Sequence, residues 1–234
     1  MEQECKRIKF SPSTDCGIIF SLFDKTGILV KPWADAGYEC HIVDMQHEKQ
    51  AETIGNITKW GMDVHEWEKM FTEKFPDKLN NAVFAAFFPP CTDLAVSGAR
   101  WFKHKEDCKP GTRKRAMDLV YWSDSFGKKL KCPYFIENPV SVISSEWRRP
   151  NFSFHPYEYG GYEGGADDGY TKKTCLWTGG GFVLPVKKTI KLDPLTSDRI
   201  HKMPPSAERQ NMRSKTPAGF SAALFNHYSK QAPQ

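Results

Sequence analysis

The sequence predicts an α/β fold, in which a mostly parallel sheet is covered by helices on both faces. Short apolar runs recur along the chain, and each ends at turn residues or at proline. Segments with helical spacing of apolar residues lie between these runs. The run over residues 82–88, AVFAAFF, has the continuous hydrophobicity of a strand that is buried on both faces. Strands that alternate with helices favour parallel pairing.

The first elements follow from turn and proline signals. Residues 17–23 predict a buried strand that ends in the turn at residues 24–27. Pro32 suits the first turn of a helix, and Gly37 suits its end. Residues 40–44 predict a second strand with an acid at its tip.

Two helices are predicted from apolar spacing on either side of the 82–88 strand. One covers residues 65–75, and the other covers residues 112–130. Their apolar stripes are Trp67, Met70, Phe71 and Phe75 in the first, and Ala116, Leu119, Val120 and Ser123 in the second. Residues 133–137 predict a further strand, which Asn138 and Pro139 stop.

The C-terminal third has weaker signals. Residues 155–170 are rich in glycine and tyrosine and are interpreted as a mobile loop, either a lid or a plain linker. Short strands are expected at 175–178 and 182–186. A final helix begins near Thr216 and Pro217, because a capping residue followed by proline is typical of a helix start.

Composition limits the class of protein. The chain has 234 residues, 39% of them hydrophobic, which suits a single domain over residues 1–234. No apolar run reaches the roughly 18–20 residues that span a membrane, and the N-terminus lacks a signal peptide. Seven cysteines without CxxC or zinc-finger spacing predict free thiols and no metal site. The net charge of +5 permits contact with a polyanion without requiring it. We therefore expect an intracellular protein that does not bind membranes.

Four predicted strands end in chemically functional residues. In an open α/β sheet, ligands bind beyond the carboxyl ends of the strands. The strand ends carry Asp24 to Gly27, Asp44, Pro89-Pro90-Cys91 and Glu137-Asn138. The sequence therefore predicts a thiol, three carboxylates and a glycine turn along one edge of the sheet, which we call the carboxyl rim.

Cys91 and Glu137 are the candidate catalytic pair. Two prolines hold Cys91 on a stiff backbone, but a buried structural cysteine is an equally weighted interpretation. Burial would make Glu137 a better acid, whereas a strand-end glutamate that forms a surface salt bridge is the alternative. A thiolate and an acid on one side of a cytosine ring suit attack at C6, protonation at N3 and group transfer to C5.

Several motifs together resemble those of the cytosine-C5 DNA methyltransferases. FPPC at 88–91 and IENP at 136–139 are similar to the family's fourth and sixth motifs. Similar matches, in the family order, are SLFDKTG at 21–27, VDMQH at 43–47, GMDV at 61–64, TKKTCLW at 171–177 and RSKTPAGF at 213–220. The resemblance covers about residues 17 to 228 and is closest to short phage and prophage members.

The resemblance implies a Rossmann-like fold that uses S-adenosylmethionine as methyl donor. It implies that Cys91 attacks C6 of cytosine and that Glu137 assists at N3. The residues implied to bind the donor are Phe23, Asp24, Thr26, Gly27, Asp44, Asp63, Pro89 and Asn226. Those implied to contact substrate or nucleic acid are Pro90, Asn138, Arg100, Trp101, Lys172 and Lys173. A solvated pair remains the alternative for the two lysines, and a turn acid is the alternative for Asp44.

Two departures from the family bear most directly on ligand binding. The first motif has Asp24-Lys25-Thr26-Gly27 where two glycines are usual. The gap between residues 178 and 199 is too short for a separate target-recognition domain. We therefore expect DNA binding with weak sequence specificity, helped by loops or by a protein partner.

The residues near Cys91 offer one loop for DNA contact. Basic residues alternate with Trp101 and Phe102 over 99–115, which suits phosphate contact and base stacking, although a solvated charge run explains it equally well. Other substrates remain open, namely a free cytosine nucleotide, an RNA or a modified base, and so does transfer of a group other than methyl. A non-catalytic accessory of DNA modification is the remaining alternative. The resemblance implies the cytoplasm of a bacterium or of a phage-infected host.

Overall fold

A computed structural model describes residues 16–195, 197–202 and 213–229 of the chain. Within these residues, the strands are β1 (Ile18–Leu22), β2 (Glu39–Val43), β3 (Glu52–Ile54), β4 (Ile57–Trp60), β5 (Ala82–Phe87), β6 (Tyr134–Pro139), β7 (Phe152–Phe154) and β8 (Thr174–Gly179). They form one sheet in the order β3-β4-β2-β1-β5-β6-β8-β7. The N-terminal residues on which the expectation of no signal peptide depends lie outside the described part.

Most of the sheet is parallel. Strands β4, β2, β1, β5 and β6 all run in one direction. Strand β3 pairs antiparallel with β4 at one edge. Strand β8 is antiparallel to both β6 and β7, so β7 runs parallel to β6. The predicted α/β class with a mostly parallel, Rossmann-like sheet is confirmed.

Helices cover both faces of this sheet. In the described ranges the α-helices are α1 (Lys31–Asp35), α2 (Val64–Lys74), α3 (Phe102–Cys108), α4 (Thr112–Leu130), α5 (Ile143–Glu146), α6 (Arg199–Lys202) and α7 (Ala218–Tyr228). The helices predicted over 65–75 and 112–130 are thus present. Among the helices of these ranges, none combines the length and the apolar character needed to cross a bilayer.

The core has two layers because successive strand residues point to opposite faces. Phe20, Phe87 and Ile136 pack on the layer that includes α2 and α4. Phe84 and Phe135 pack on the other layer, which includes α1 and α7. The parallel strands are therefore buried on both sides, which leaves their carboxyl rim as the accessible edge.

The segment 155–170 is packed against the protein, which contradicts its interpretation as a mobile loop. It forms two 3-10 turns, Pro156–Tyr159 and Gly165–Asp168. The Tyr159 ring is fully buried and contacts the Phe220 ring of α7 at 5.0 Å between centroids. Its aromatic residues therefore fix the segment against α7.

Three further features differ from the prediction. Residues 182–186 form no strand, because the Tyr228 hydroxyl accepts a hydrogen bond from the Val183 amide at 2.7 Å and donates one to the Val183 carbonyl at 2.9 Å. A side chain thus satisfies the backbone groups that a neighbouring strand would use. The β3–β4 hairpin and edge strand β7 were not predicted, because each is short and carries no clear apolar alternation.

Candidate active site

Cys91 lies on the loop that follows β5. Pro89 is buried and Pro90 is exposed, so the chain leaves the sheet between them. The Cys91 carbonyl accepts hydrogen bonds from the amides of Leu94 at 3.0 Å and Ala95 at 2.9 Å. The thiol is half-buried. The stiff backbone and these two bonds hold Cys91 at the carboxyl rim.

Hydrogen bonds join the loop that carries Cys91 to the loop after β6. The side-chain amide of Asn138 donates to the Pro89 carbonyl at 2.9 Å. The Val142 amide donates to the Leu94 carbonyl at 2.9 Å, and the Val96 amide donates to the Val140 carbonyl at 3.1 Å. Strands β5 and β6 are neighbours, with Phe87 opposite Ile136. The pairing therefore brings Phe88-Pro89-Pro90-Cys91 alongside Glu137.

Asn138 is placed for structure rather than for substrate contact. It is buried, its amide nitrogen is used by Pro89, and its Oδ1 is buried without a hydrogen bond in the described residues. Its role in joining β5 to β6 was not predicted from the sequence, because it depends on the strand order.

The charge of Glu137 acts on the Cys91 thiol. Burial raises the pKa of Glu137, and Lys172 opposes this rise from 3.8 Å away. Burial also raises the pKa of Cys91, and the negative charge of ionised Glu137 raises it further. Lys172 and Arg213 both lower the pKa of Cys91. The two groups therefore share one site, which holds one negative charge more easily than two.

The two lysines before β8 have different environments. The Lys172 side chain is 15% exposed and pairs with Glu137. Lys173 is exposed. Because β8 pairs antiparallel with β6, the residues that precede β8 lie near the end of β6. Lys172 thus joins the site, while Lys173 fits the solvated alternative.

A narrow cleft of about 10 Å³, roughly the space of one water molecule, lies beside Glu137. Phenyl rings from three strand segments and α7 line it, together with polar groups from β8 and from the residues before α7. The lining residues are Phe88, Phe135, Glu137, Phe154, Lys172, Thr174, Ser214, Lys215, Thr216, Pro217 and Phe220. The aromatic lining was not predicted, because these phenylalanines are far apart in the sequence.

The turn after β1 is built around Asp24. Its Oδ1 accepts hydrogen bonds from the amides of Thr26 at 2.8 Å and Gly27 at 2.9 Å. Its Oδ2 accepts one from the Ser21 hydroxyl at 2.8 Å. Phe23 and Gly27 both have positive φ, at 61° and 67°. Asp24 therefore closes the turn that replaces the usual two glycines, and its carboxylate oxygens are occupied within the protein.

Asp44 and Asp63 lie at the rim beyond β1, because they follow β2 and β4. Asp44 follows β2, and its Oδ1 accepts from the Gln46 amide at 2.8 Å. Asp63 caps α2 by accepting from the His65 amide at 2.8 Å. Next to Asp44, Met45 is 75% exposed. Carboxylates beside an exposed apolar side chain suit a ligand that presents hydroxyl or amino groups and a flat ring.

Asn226 lies far from this rim, which contradicts its assignment to the donor site. It is exposed near the end of α7. At that end, the Tyr38 hydroxyl donates to the Ser229 carbonyl at 3.5 Å, and Tyr38 directly precedes β2. The end of α7 is therefore at the amino-terminal edge of the parallel strands. The start of α7 lies near Glu137. The helix then runs toward the other edge of the sheet, so its length carries Asn226 away from the rim.

The basic segment over 99–115 is only partly available for a ligand. Lys105 pairs with Asp93 at 2.8 Å, and Arg113 pairs with Glu146 at 3.3 Å. Arg100 and Trp101 are exposed, and the guanidinium lies 5.3 Å from the indole centroid. This exposed pair is the part of the segment that suits stacking and phosphate contact.

Comparison with known proteins gives a limited result. No protein-family model and no curated protein matches this sequence. One similar solved structure is an Escherichia coli prophage protein described provisionally as a DNA modification methyltransferase. The identity is 12% and the TM-score is 0.44, over 76% of this chain and 52% of that one. This chain thus spans about half the length of that protein.

Proposed function

We propose that this chain transfers a methyl group from S-adenosylmethionine to C5 of cytosine in DNA. The observation that carries the proposal is the convergence of Cys91 and Glu137. One is a half-buried thiol after β5, and the other is a carboxyl group in β6 whose side chain is 16% exposed and whose pKa is raised by burial. The ordered motifs of the sequence support the same assignment.

Cys91 acts as the nucleophile. Its thiolate forms a bond to C6, and the electron pair of the C5–C6 double bond shifts toward N3. Glu137 gives a proton to N3, because its raised pKa keeps it protonated at higher pH than an ordinary glutamate. Lys172 balances the negative charge of the thiolate before attack. C5 thereby becomes nucleophilic.

S-adenosylmethionine, when bound, would supply the methyl group to C5; its methyl–sulfur bond would break and S-adenosylhomocysteine would leave. The C5 proton then leaves to water, Cys91 is eliminated from C6, and Glu137 recovers its proton from N3. Asp44 suits the ribose hydroxyls and Asp63 suits the adenine amino group. Phe23, Asp24, Thr26 and Gly27 form the turn that would hold the methionine end of the donor, and Pro89 would lie between the donor and the base.

The base must leave the DNA stack to reach Cys91, since stacked cytosine does not expose both faces. Arg100 and Trp101 suit contact with the DNA around the vacated position, because both are exposed in the 3-10 helix Val96–Trp101 that follows Cys91. Pro90 is exposed beside the thiol and can contact the base. Weak sequence specificity follows from the short gap between β8 and α6.

Covalent trapping tests the proposal. DNA that contains 5-fluorocytosine should form a denaturation-resistant adduct with the protein in the presence of S-adenosylmethionine, because fluorine at C5 prevents the elimination of Cys91. Peptide mapping should place the adduct at Cys91. The Cys91→Ala variant should form none yet still bind the donor in calorimetry, whereas Cys108→Ala, at an exposed thiol, should react normally.

Failure of this experiment has distinct meanings. Absence of an adduct on every DNA tested would contradict the proposal. Label transfer to RNA or to a free cytosine nucleotide instead would keep the chemistry and change the substrate. If the wild-type protein binds no donor, the accessory role without catalysis is favoured.

A further inference from the structure

We infer that the segment Arg213–Pro217, which leads into α7, binds a backbone phosphate of the DNA strand next to the target cytosine. The identity of the substrate rests on the proposed function. The location rests on the structure of the segment and on the charges around the cleft beside Glu137. The sequence resemblance assigns no substrate contact to these residues.

The segment is held in a fixed position. The Asp168 carboxylate accepts a hydrogen bond from the Gly219 amide at 2.8 Å. A Cβ atom at Gly219 would lie 2.2 Å from the Tyr159 carbonyl oxygen, so the start of α7 packs directly on the 155–170 segment. Thr216 and Pro217 are buried. Because this segment is already held in place, binding a ligand does not carry the entropic cost of ordering it.

This segment and the catalytic carboxyl group line the same cleft. Ser214 to Pro217 line it together with Glu137, Lys172 and Thr174. The Oε1 atom of Glu137 is buried and makes no hydrogen bond in the described residues. Oε1 is therefore available for a hydrogen bond with a substrate group. The cleft must widen to admit a base at Glu137, because its volume is only about 10 Å³. The sugar and phosphate of that nucleotide would then lie next to the residues that line the cleft.

The charge of the cleft suits an anion. Lys172 lies 3.8 Å from Glu137 and acts on the Cys91 thiol, as Arg213 also does, while Lys215 is exposed at the cleft. Within the described part of the chain, neither Arg213 nor Lys215 pairs with a carboxylate. A cytosine ring is neutral, so the anionic group that enters with it is the phosphate, which such contacts position rather than identify.

Salt-dependent DNA binding tests this inference. Lys215→Gln and Arg213→Gln are compared with Lys74→Gln, an exposed lysine at the end of α2 on the opposite face of the sheet. Affinity for one oligonucleotide is measured by fluorescence anisotropy between about 50 and 200 mM salt. Each lost phosphate contact should lower the slope of log affinity against log salt by about 0.7 to 0.9. Lys74→Gln should leave the slope unchanged.

A second measurement separates the two proposals. The same variants are tested for the 5-fluorocytosine adduct at Cys91. One outcome is that the wild-type protein forms the adduct, while Lys215→Gln and Arg213→Gln show the same slope of log affinity against log salt as the wild type. The phosphate site is then wrong and the proposed function stands. If wild-type protein binds DNA with the expected slope changes but forms no adduct, the phosphate site stands and the methyl transfer is wrong. If it binds no DNA, both are wrong.

Alkylation without DNA checks where Arg213 lies. The rate at which iodoacetamide modifies Cys91 is followed against pH by mass spectrometry. Because Arg213 lowers the pKa of Cys91, Arg213→Gln should move the midpoint of alkylation to higher pH. An unchanged midpoint would place Arg213 away from the nucleophile and overturn its part in the inference.

Discussion

Single charges control the chemistry at Cys91. Burial raises the pKa of both Cys91 and Glu137, and ionised Glu137 makes Cys91 harder to ionise. A protonated Glu137 beside a Cys91 thiolate is therefore more favourable than two anions. This is the protonation state in which one group attacks and the other donates a proton. Lys172 and Arg213 favour it because both stabilise the thiolate.

Replacing Glu137 tests this coupling. Glu137→Gln replaces the ionisable carboxyl group with a neutral amide of nearly the same shape. Because ionised Glu137 raises the pKa of Cys91, the midpoint of Cys91 alkylation should move to lower pH, while Lys172→Gln should move it to higher pH. Methyl transfer by Glu137→Gln should fall by about 10² to 10⁴, the usual contribution of a general acid.

The exposed Cys108 serves as the internal control in these alkylation measurements. Its alkylation profile should be the same in the wild-type protein and in both variants. If the Cys91 profile is also unchanged in both, the two groups do not interact and the catalytic pairing is wrong.

At the scale of elements, the position of α7 depends on Asp168. The carboxylate lies at the start of the helix, where it accepts from the Gly219 amide. Burial raises the pKa of Asp168 to about 6, although the Gly219 bond opposes the rise. The segment 155–170 thus contributes a buried acid as well as aromatic packing to the helix that lines the cleft.

Asp168→Asn should change how stability depends on pH. A buried acid with a raised pKa favours the protonated folded state, so the wild type loses stability as pH rises from about 4 to about 6. Asparagine keeps an oxygen acceptor for Gly219 and cannot ionise. The variant should match the wild type near pH 4 and exceed it at pH 7 by at most about 3 kcal/mol.

Thermal unfolding at these two pH values measures the difference. An equal difference in melting temperature at both would show that Asp168 does not titrate with a raised pKa. A variant that is less stable at pH 7 would show that the charge at the helix start outweighs the cost of its burial.

Across the whole molecule, a polar cluster around the buried His41 connects the sheet to its surroundings. The Trp60 indole donates to His41 Nδ1 at 3.2 Å, which leaves the proton of neutral His41 on Nε2. His41 Nε2 then donates to Glu39 at 2.8 Å, and Lys78 also pairs with Glu39. These bonds join β2, β4 and the residues before β5. Chiefly because of the His41 bond, the pKa of Glu39 is lowered to about 2.

Glu39→Gln should lower the free energy of unfolding at neutral pH and make it depend less on pH in the acid range. A lowered pKa means that ionised Glu39 stabilises the fold above about pH 4.5, and that this contribution is lost as pH falls toward 2. The variant should be less stable than the wild type by roughly 2 to 3 kcal/mol at pH 6. The difference in unfolding free energy should be smaller at pH 3, as measured by urea unfolding. A difference that is the same at both pH values would show that Glu39 does not titrate with a lowered pKa.

The sequence by itself determined the main strands, the two long helices and the class of the sheet. Continuous apolar runs that end at proline or turn residues predict buried strands, as at β5 and β6, and a helical stripe predicts α2. These patterns are local, because each depends on neighbours within one or two turns. Since parallel strands end at a common edge, they also placed Cys91 and Glu137 at the carboxyl rim.

Only the tertiary structure decided which side chains meet at that rim. The sequence suggested Asn226 for the donor site, but the packing of α7 carries it to the opposite edge. Asp24 was expected to contact the donor, yet its oxygens close its own turn. The effect of Arg213 on Cys91 and the burial of Tyr159 join segments that are distant in the chain. Such contacts depend on strand order and on the burial of both sheet faces, which no local pattern specifies.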